Sequence, residues 1–157
     1  MDYYSVISKS YNKLYGEEQI DKLKFIKKHA KILGPLLDVG CGTGLSLSFF
    51  KVKSIGIDPS HGMIKIAKGN VIKARAESLP FKDKSFNTVI SVTSIQNFKN
   101  PEKAIKEMIR VSKNNNIIIT IMKKSAKVDN IRRLIKKHLK NFKEYGHEKD
   151  IVFTANY

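Results

Sequence analysis

The chain of 157 residues has a single cysteine, no tryptophan, four prolines and only 14 acidic side chains. One cysteine, Cys41, excludes an internal disulfide and suits a reducing interior. No stretch approaches the roughly 18 apolar residues that a membrane span needs, so no membrane association is expected. No charged-then-apolar leader opens the chain, and the expectation is a cytoplasmic protein. Internal repeats, low-complexity tracts and linkers are absent, which argues for one domain with its own core.

The scarcity of acids is set against 30 Lys and Arg, for a net charge of +16. Such a field attracts polyanions, with RNA the first candidate. The alternative is a lysine-rich surface with no ligand of its own, and composition alone leaves both open.

Apolar spacing predicts helical structure in residues 3–33, broken at Gly16 and ended by Gly34-Pro35. Leu36–Val39 reads as a short buried strand, Thr43–Phe50 as a helix and Ser54–Ile57 as a second strand. Ser60 is placed to cap a helix running through Met63 to Ala67. Strands are expected at Val71–Ala74, Thr88–Val92 and Ile117–Met122, with a helix opened by Pro101 before the last. A basic helix over about Ser125–Leu139 precedes two closing strands near Phe142–Gly146 and Ile151–Thr154. Five strands alternating with helices imply a parallel sheet covered on both faces. The expected fold is α/β: a three-layer Rossmann-like sandwich, with a seven-stranded, mostly parallel sheet ending in an antiparallel hairpin. Its parts are a helical cap (1–34), a cofactor-binding core (36–122) and the basic helix with the hairpin (123–157). Ligands of such sheets bind beyond the carboxyl ends of the strands, where strand order reverses.

The run Asp38-Val39-Gly40-Cys41-Gly42-Thr43-Gly44 falls at that place. Its glycines allow a tight exit from the strand and a close approach of ligand to backbone. At the end of the second strand stands Asp58, whose carboxylate can accept both hydroxyls of a ribose. A dinucleotide site has Gly-x-Gly-x-x-Gly spacing, whereas here it is Gly-x-Gly-x-Gly with an acid two residues earlier. A pyrophosphate disfavours that acid, and the ammonium of a methionine moiety favours it. The expected cofactor is therefore S-adenosyl-L-methionine, with no metal.

These motifs resemble those of the class I methyltransferases, in the group that includes the ubiquinone/menaquinone C-methyltransferases. Leu36–Gly44 is similar to the family's first motif, Gly56–Ala67 to its second and Ala76–Phe86 to its third. Val89–Val111 resembles the fourth strand and the helix after it. The resemblance implies that Asp38, Gly40, Gly42 and Gly44 hold the methionine part, Asp58 the ribose, and Met63 the adenine, with Cys41 and Pro59 beside them in the cofactor set. Ala76, Glu77 and Ser91 complete the expected cofactor set, and Tyr11 matches a tyrosine that closes over the cofactor in many relatives. The chain departs from the family at Arg75, where an aspartate usually meets the adenine amino group. It departs again at Gln96-Asn97, where many relatives have histidines.

The strand end Ser91-Val92-Thr93-Ser94 lacks the Asn/Asp-Pro-Pro-Tyr/Phe run that handles exocyclic amines. No general base is identifiable, and Cys41 reads as packing within the turn. Gln96, Asn97, Tyr15 and His147 are the candidates for substrate contact. Arg132, Lys136 and Lys140 recur at helical spacing within a basic surface over 123–143, a stripe suited to phosphates or simply a solvated face. Lys22, Lys24, Lys27, Lys28 and Lys31 suggest a second one. Some relatives with similar motifs modify tRNA or rRNA with a small activating subunit. The expectations are thus an RNA methyltransferase, alternatively a small-molecule methyltransferase, or a cofactor-binding module without activity.

Overall fold

The computed structural model describes the backbone of residues 3–155, with the side chains of Lys13 and of residues 16–155. Helix α1 spans Tyr3–His29, followed by β1 (Leu36–Val39), α2 (Leu45–Phe49), β2 (Ser54–Asp58), α3 (His61–Ile66) and β3 (Val71–Lys73). Then come β4 (Thr88–Val92), a 3-10 turn (Ile95–Asn97), α4 (Pro101–Val111) and β5 (Ile117–Met122). Helix α5 (Val128–His138) and the hairpin β6 (Phe142–His147) and β7 (Asp150–Ala155) complete the order.

The seven strands form one sheet in the order β3-β2-β1-β4-β5-β7-β6. The first five are parallel neighbours, and β7 runs antiparallel to both β5 and β6. The strand order reverses at β1, which pairs with β2 on one side and β4 on the other. This is the Rossmann-like architecture that the strand and helix pattern predicts, hairpin included.

The inner strands are covered on both faces, and this is why β1, β4 and β5 read as largely hydrophobic runs. Along β5, Ile117, Ile119 and Ile121 enter the core beneath α4 and α5, and Ile118 enters the one beneath α1 and α2. The first core receives Ala104, Ile105, Met108 and Val111 from α4, and Ile131, Leu134 and Ile135 from α5. The second receives Leu23 and Ile26 from α1. Pro101 sits in the first turn of α4 behind an Asn100 cap whose side chain accepts the Lys103 N–H. Ser60 caps α3 as expected, accepting the Met63 N–H at 3.2 Å.

Gly16 does not break α1, contrary to the sequence expectation. One interior glycine costs only about 1 kcal/mol relative to alanine. The burial of Leu23 and Ile26 anchors the helix beyond it. A Cβ at Gly16 would meet nothing within 4 Å, so Gly16→Ala should stabilise the protein by about 0.5–1 kcal/mol. Gly44 is the opposite case: φ is +78° and a Cβ would run into the Lys68 carbonyl. Gly44→Ala should cost more than about 1 kcal/mol. Urea midpoints of the two variants should therefore move in opposite directions from wild type.

Candidate functional site

Strand β1 ends in a turn in which Gly40, Gly42 and Gly44 all have positive φ. The N–H groups of Gly40 and Cys41 both donate to the Ile57 carbonyl at 2.9 Å, tying the turn to β2. A Cβ at Gly40 would press on the Ser94 side chain at 2.7 Å. At Gly42 a Cβ would meet nothing within 4 Å, because that side of the turn faces a cavity. The Cys41 sulfur packs over Gly56, 2.5 Å from where a Cβ would stand. Burial pushes the Cys41 thiol pKa up, and the nearby carboxylates of Asp38 and Asp58 add to this. A packing role fits that environment and a nucleophilic one does not.

Two carboxylates frame the turn. Asp58 accepts the Gly42 N–H at 3.0 Å and the Ser60 N–H at 2.9 Å, one on each oxygen. Each oxygen retains a lone pair for a further donor. Asp38 is 2% exposed, and its Oδ2 accepts a hydrogen bond from Ser46. Its Oδ1 is buried with no partner among the described residues. Burial raises the Asp38 pKa to about 7, against the Ser46 hydrogen bond, which lowers it, while Asp58 raises it further. A buried carboxylate with one empty acceptor position is a place for a cationic donor.

Both acids open on a cavity of about 470 Å³, within the roughly 300–1,000 Å³ of small-ligand sites. Gly40, Cys41, Gly42, Pro59 and Met63 also line it. An adjoining cavity of about 600 Å³ shares Gly40, Pro59, Asn97 and Phe98, and is lined further by Arg75, Ala76 and Glu77. The structure thus brings together most of the expected cofactor set, with Arg75 in the same lining as Ala76 and Glu77.

Other expected residues fall elsewhere. Gly44 and Ser91 line neither cavity: Gly44 caps α2, and Ser91 lies fully buried within β4. The side chains of Tyr11 and Tyr15 lie outside the described residues. Asn97 lines both cavities, whereas the Gln96 amide turns back to donate to the Thr93 carbonyl. His147 lies in a separate cavity, hydrogen-bonded to Asp21 at 2.9 Å, because the β6–β7 turn packs against α1. Among the described residues no group of three His, Cys, Asp or Glu is placed to hold a metal.

One residue that spacing did not single out stands at the end of β4. Thr93 lines the first cavity with φ +52°, a strained value for a β-branched residue. It is held by the Thr120 hydroxyl, which accepts its N–H at 2.8 Å, and by Lys22, whose ammonium donates to its hydroxyl at 2.6 Å. Lys22, expected on a basic surface, is in fact buried and paired with Asp150 at 2.5 Å. On α5, Arg132 is bound by Glu144 and Asp129, and Lys137 and His138 by Glu102. The phosphate stripe loses one member, while Lys136 and Lys140 remain exposed.

Residues 37–120 match the family model described as a methyltransferase domain. The chain is 39% identical over 150 residues to an uncharacterised protein of Methanocaldococcus jannaschii, covering 91% of this chain and 58% of that protein. It is 31% identical over 112 residues to a ubiquinone/menaquinone biosynthesis C-methyltransferase of Campylobacter jejuni, covering 62% of this chain and 46% of that one. The chain therefore spans about half the length of these relatives. A methyltransferase solved in complex with the Trm112 methyltransferase activator of Haloferax volcanii superposes with a TM-score of 0.77. That alignment covers 99% of this chain and 98% of the other at 12% identity, a likeness of fold.

If Asp38 must ionise to meet an ammonium, affinity for S-adenosylhomocysteine should rise about tenfold between pH 6 and pH 8. The sign follows from a raised pKa: protonated Asp38 dominates below about 7 and has to lose its proton on binding. Asp38→Asn should bind at least about tenfold more weakly at pH 8. Its affinity should also lose most of this pH dependence, which calorimetric titration across that range would show.

Proposed function

The chain belongs to the methyltransferase-domain family, whose cofactor is S-adenosylmethionine, and we propose that it transfers the methyl group of that cofactor to a small molecule. The observation that carries this reading is the buried Asp38 oxygen without a partner, beside a glycine whose missing Cβ leaves room for a ligand. The cofactor's ammonium supplies the donor that this oxygen lacks. Asp58 would accept the ribose hydroxyls and Met63, Ala76 and Glu77 would contact the adenine, a reading supported by their positions in the two adjoining cavities. The guanidinium of Arg75 cannot accept the adenine amino group, but its flat face can stack on the base.

When bound, S-adenosylmethionine would supply a sulfonium methyl group open to direct displacement by an acceptor lone pair, with the thioether as leaving group. The chain's contribution is then positioning and exclusion of water. Asn97 lines the cavity and can orient an acceptor, and Thr93 fixes the end of β4 beside it. Among the described residues, no side chain of the cofactor cavity is a ready base other than the two acids already engaged. A nucleophile that arrives with its lone pair free suits such a site.

A second reading, methylation of RNA, draws on the exposed lysines at 123, 124, 136, 140 and 143. A small activating subunit, as in the Haloferax complex, would belong to that reading. It is the weaker one, because Arg132, Lys137 and His138 already have acidic partners.

The test is a transfer assay with cofactor labelled in the methyl group, on separated small-molecule, RNA and protein fractions of the source cell. Label in the small-molecule fraction is expected, and Asp58→Ala should reduce it at least about tenfold. Label in RNA instead would replace the acceptor class. Cofactor binding with no label anywhere would leave a binding module and overturn the activity.

A further inference from the structure

On the far side of Lys22 from the cofactor cavity lies a second cavity of about 300 Å³, between α1 and the β6–β7 turn. Its lining includes five carboxylates: Glu17, Glu18, Asp21, Glu148 and Asp150. Only two lysines, Lys22 and Lys149, share it, so this spot is negative on a chain of net charge +16. Lys149 pairs with Glu18 at 3.1 Å, Lys22 with Asp150, and His147 with Asp21. Glu17 and Glu148 form no ion pair among the described residues.

Asp150 is 4% exposed, and its Oδ1 is buried with no hydrogen-bond partner among the described residues. Leaving a buried carboxylate oxygen without a donor is costly, and an ammonium entering the cavity would supply one. Glu148 holds φ +50° in the tight turn between β6 and β7, where glycine or asparagine is the usual occupant. The turn thus keeps a carboxylate at the cavity wall in a conformation that other residues would fill more easily.

Lys22 lines the acidic cavity only and stands between it and the cofactor cavity. Its ammonium touches Asp150 in one and Thr93 in the other, at 2.5 and 2.6 Å. Gln19 and Leu23, on the same stretch of α1, line the cofactor cavity. We propose that the acidic cavity is the acceptor subsite, and that it takes a small molecule with an ammonium at one end and an uncharged lone-pair donor at the other. The inference rests on the methyl-donor reading of the neighbouring cavity. Carboxylates hold the cationic end. Lys22 stands between that end and the donor site, where its charge disfavours a second ammonium, so the end that reaches the methyl group is neutral. An anionic acceptor would meet the carboxylates and be repelled.

Amide NMR spectra of the protein saturated with S-adenosylhomocysteine test this, with 4-aminobutan-1-ol as the cationic probe and 4-hydroxybutyrate as its anionic counterpart. The amine should give saturable shifts at residues 17–22 and 147–150, and the acid none. Glu17→Gln/Glu148→Gln alters only exposed side chains and should raise the amine Kd by about fivefold. Asp150→Asn should weaken binding further if it folds, and the double variant decides the matter if it does not. No saturable amine binding, equal binding of the two probes, or an unchanged Kd in the double variant would overturn the proposal. A separate titration of S-adenosylhomocysteine alone reports the methyl-donor site. Its failure there would remove the donor reading, and with it the acceptor role, whatever the amine does.

Discussion

The site depends on one buried carboxylate at the end of the central strand. Asp38 lies between Gly56 of β2 and Ile90 of β4, in register with both. Desolvation raises its pKa from 3.8 to about 7, a cost on the order of 4 kcal/mol for the ionised form. That cost is absent below the ordinary carboxylate value and complete only above about pH 7. A fold that needed only stability would place an apolar side chain there. Ser46 satisfies one oxygen, and the other has no donor among the described residues.

The rest of the site is built around this carboxylate. Three left-handed glycines swing the chain out of β1 and back toward α2, so that the Gly42 N–H reaches Asp58 across the turn. Ser94 packs under Gly40 and donates to its carbonyl at 2.8 Å, linking the ends of β1 and β4. Thr93 absorbs the strain of that corner because Thr120 and Lys22 hold it from two sides. These groups are thus fixed by the sheet, while α1 and β7 meet beside them through Lys22 and Asp150.

Much of this was legible in the amino-acid order. The five parallel strands and the hairpin announce themselves through apolar runs, and the Asp38–Gly44 turn with Asp58 through residue types at fixed spacing. What escaped depends on contacts between distant segments. Lys22 resembles any surface lysine of α1 until Thr93, 71 residues away, and Asp150 are folded against it. Arg132 looks free until β6 brings Glu144 to it. Gly16 reads as a break on local propensity alone, and the burial of Leu23 and Ile26 further along the helix overrides it. His147, a candidate for substrate contact, lies outside the cofactor cavity because the packing of its turn on α1 sets it against Asp21.

The central claim is that Asp38 waits, half protonated at neutral pH, for the ammonium of the cofactor. Calorimetric titration of S-adenosylmethionine at pH 7, in buffers of different ionisation enthalpy, counts the protons exchanged on binding. Release of about half a proton per molecule bound, abolished in Asp38→Asn, is the expected result. Binding with no proton release in the wild-type chain would contradict the account.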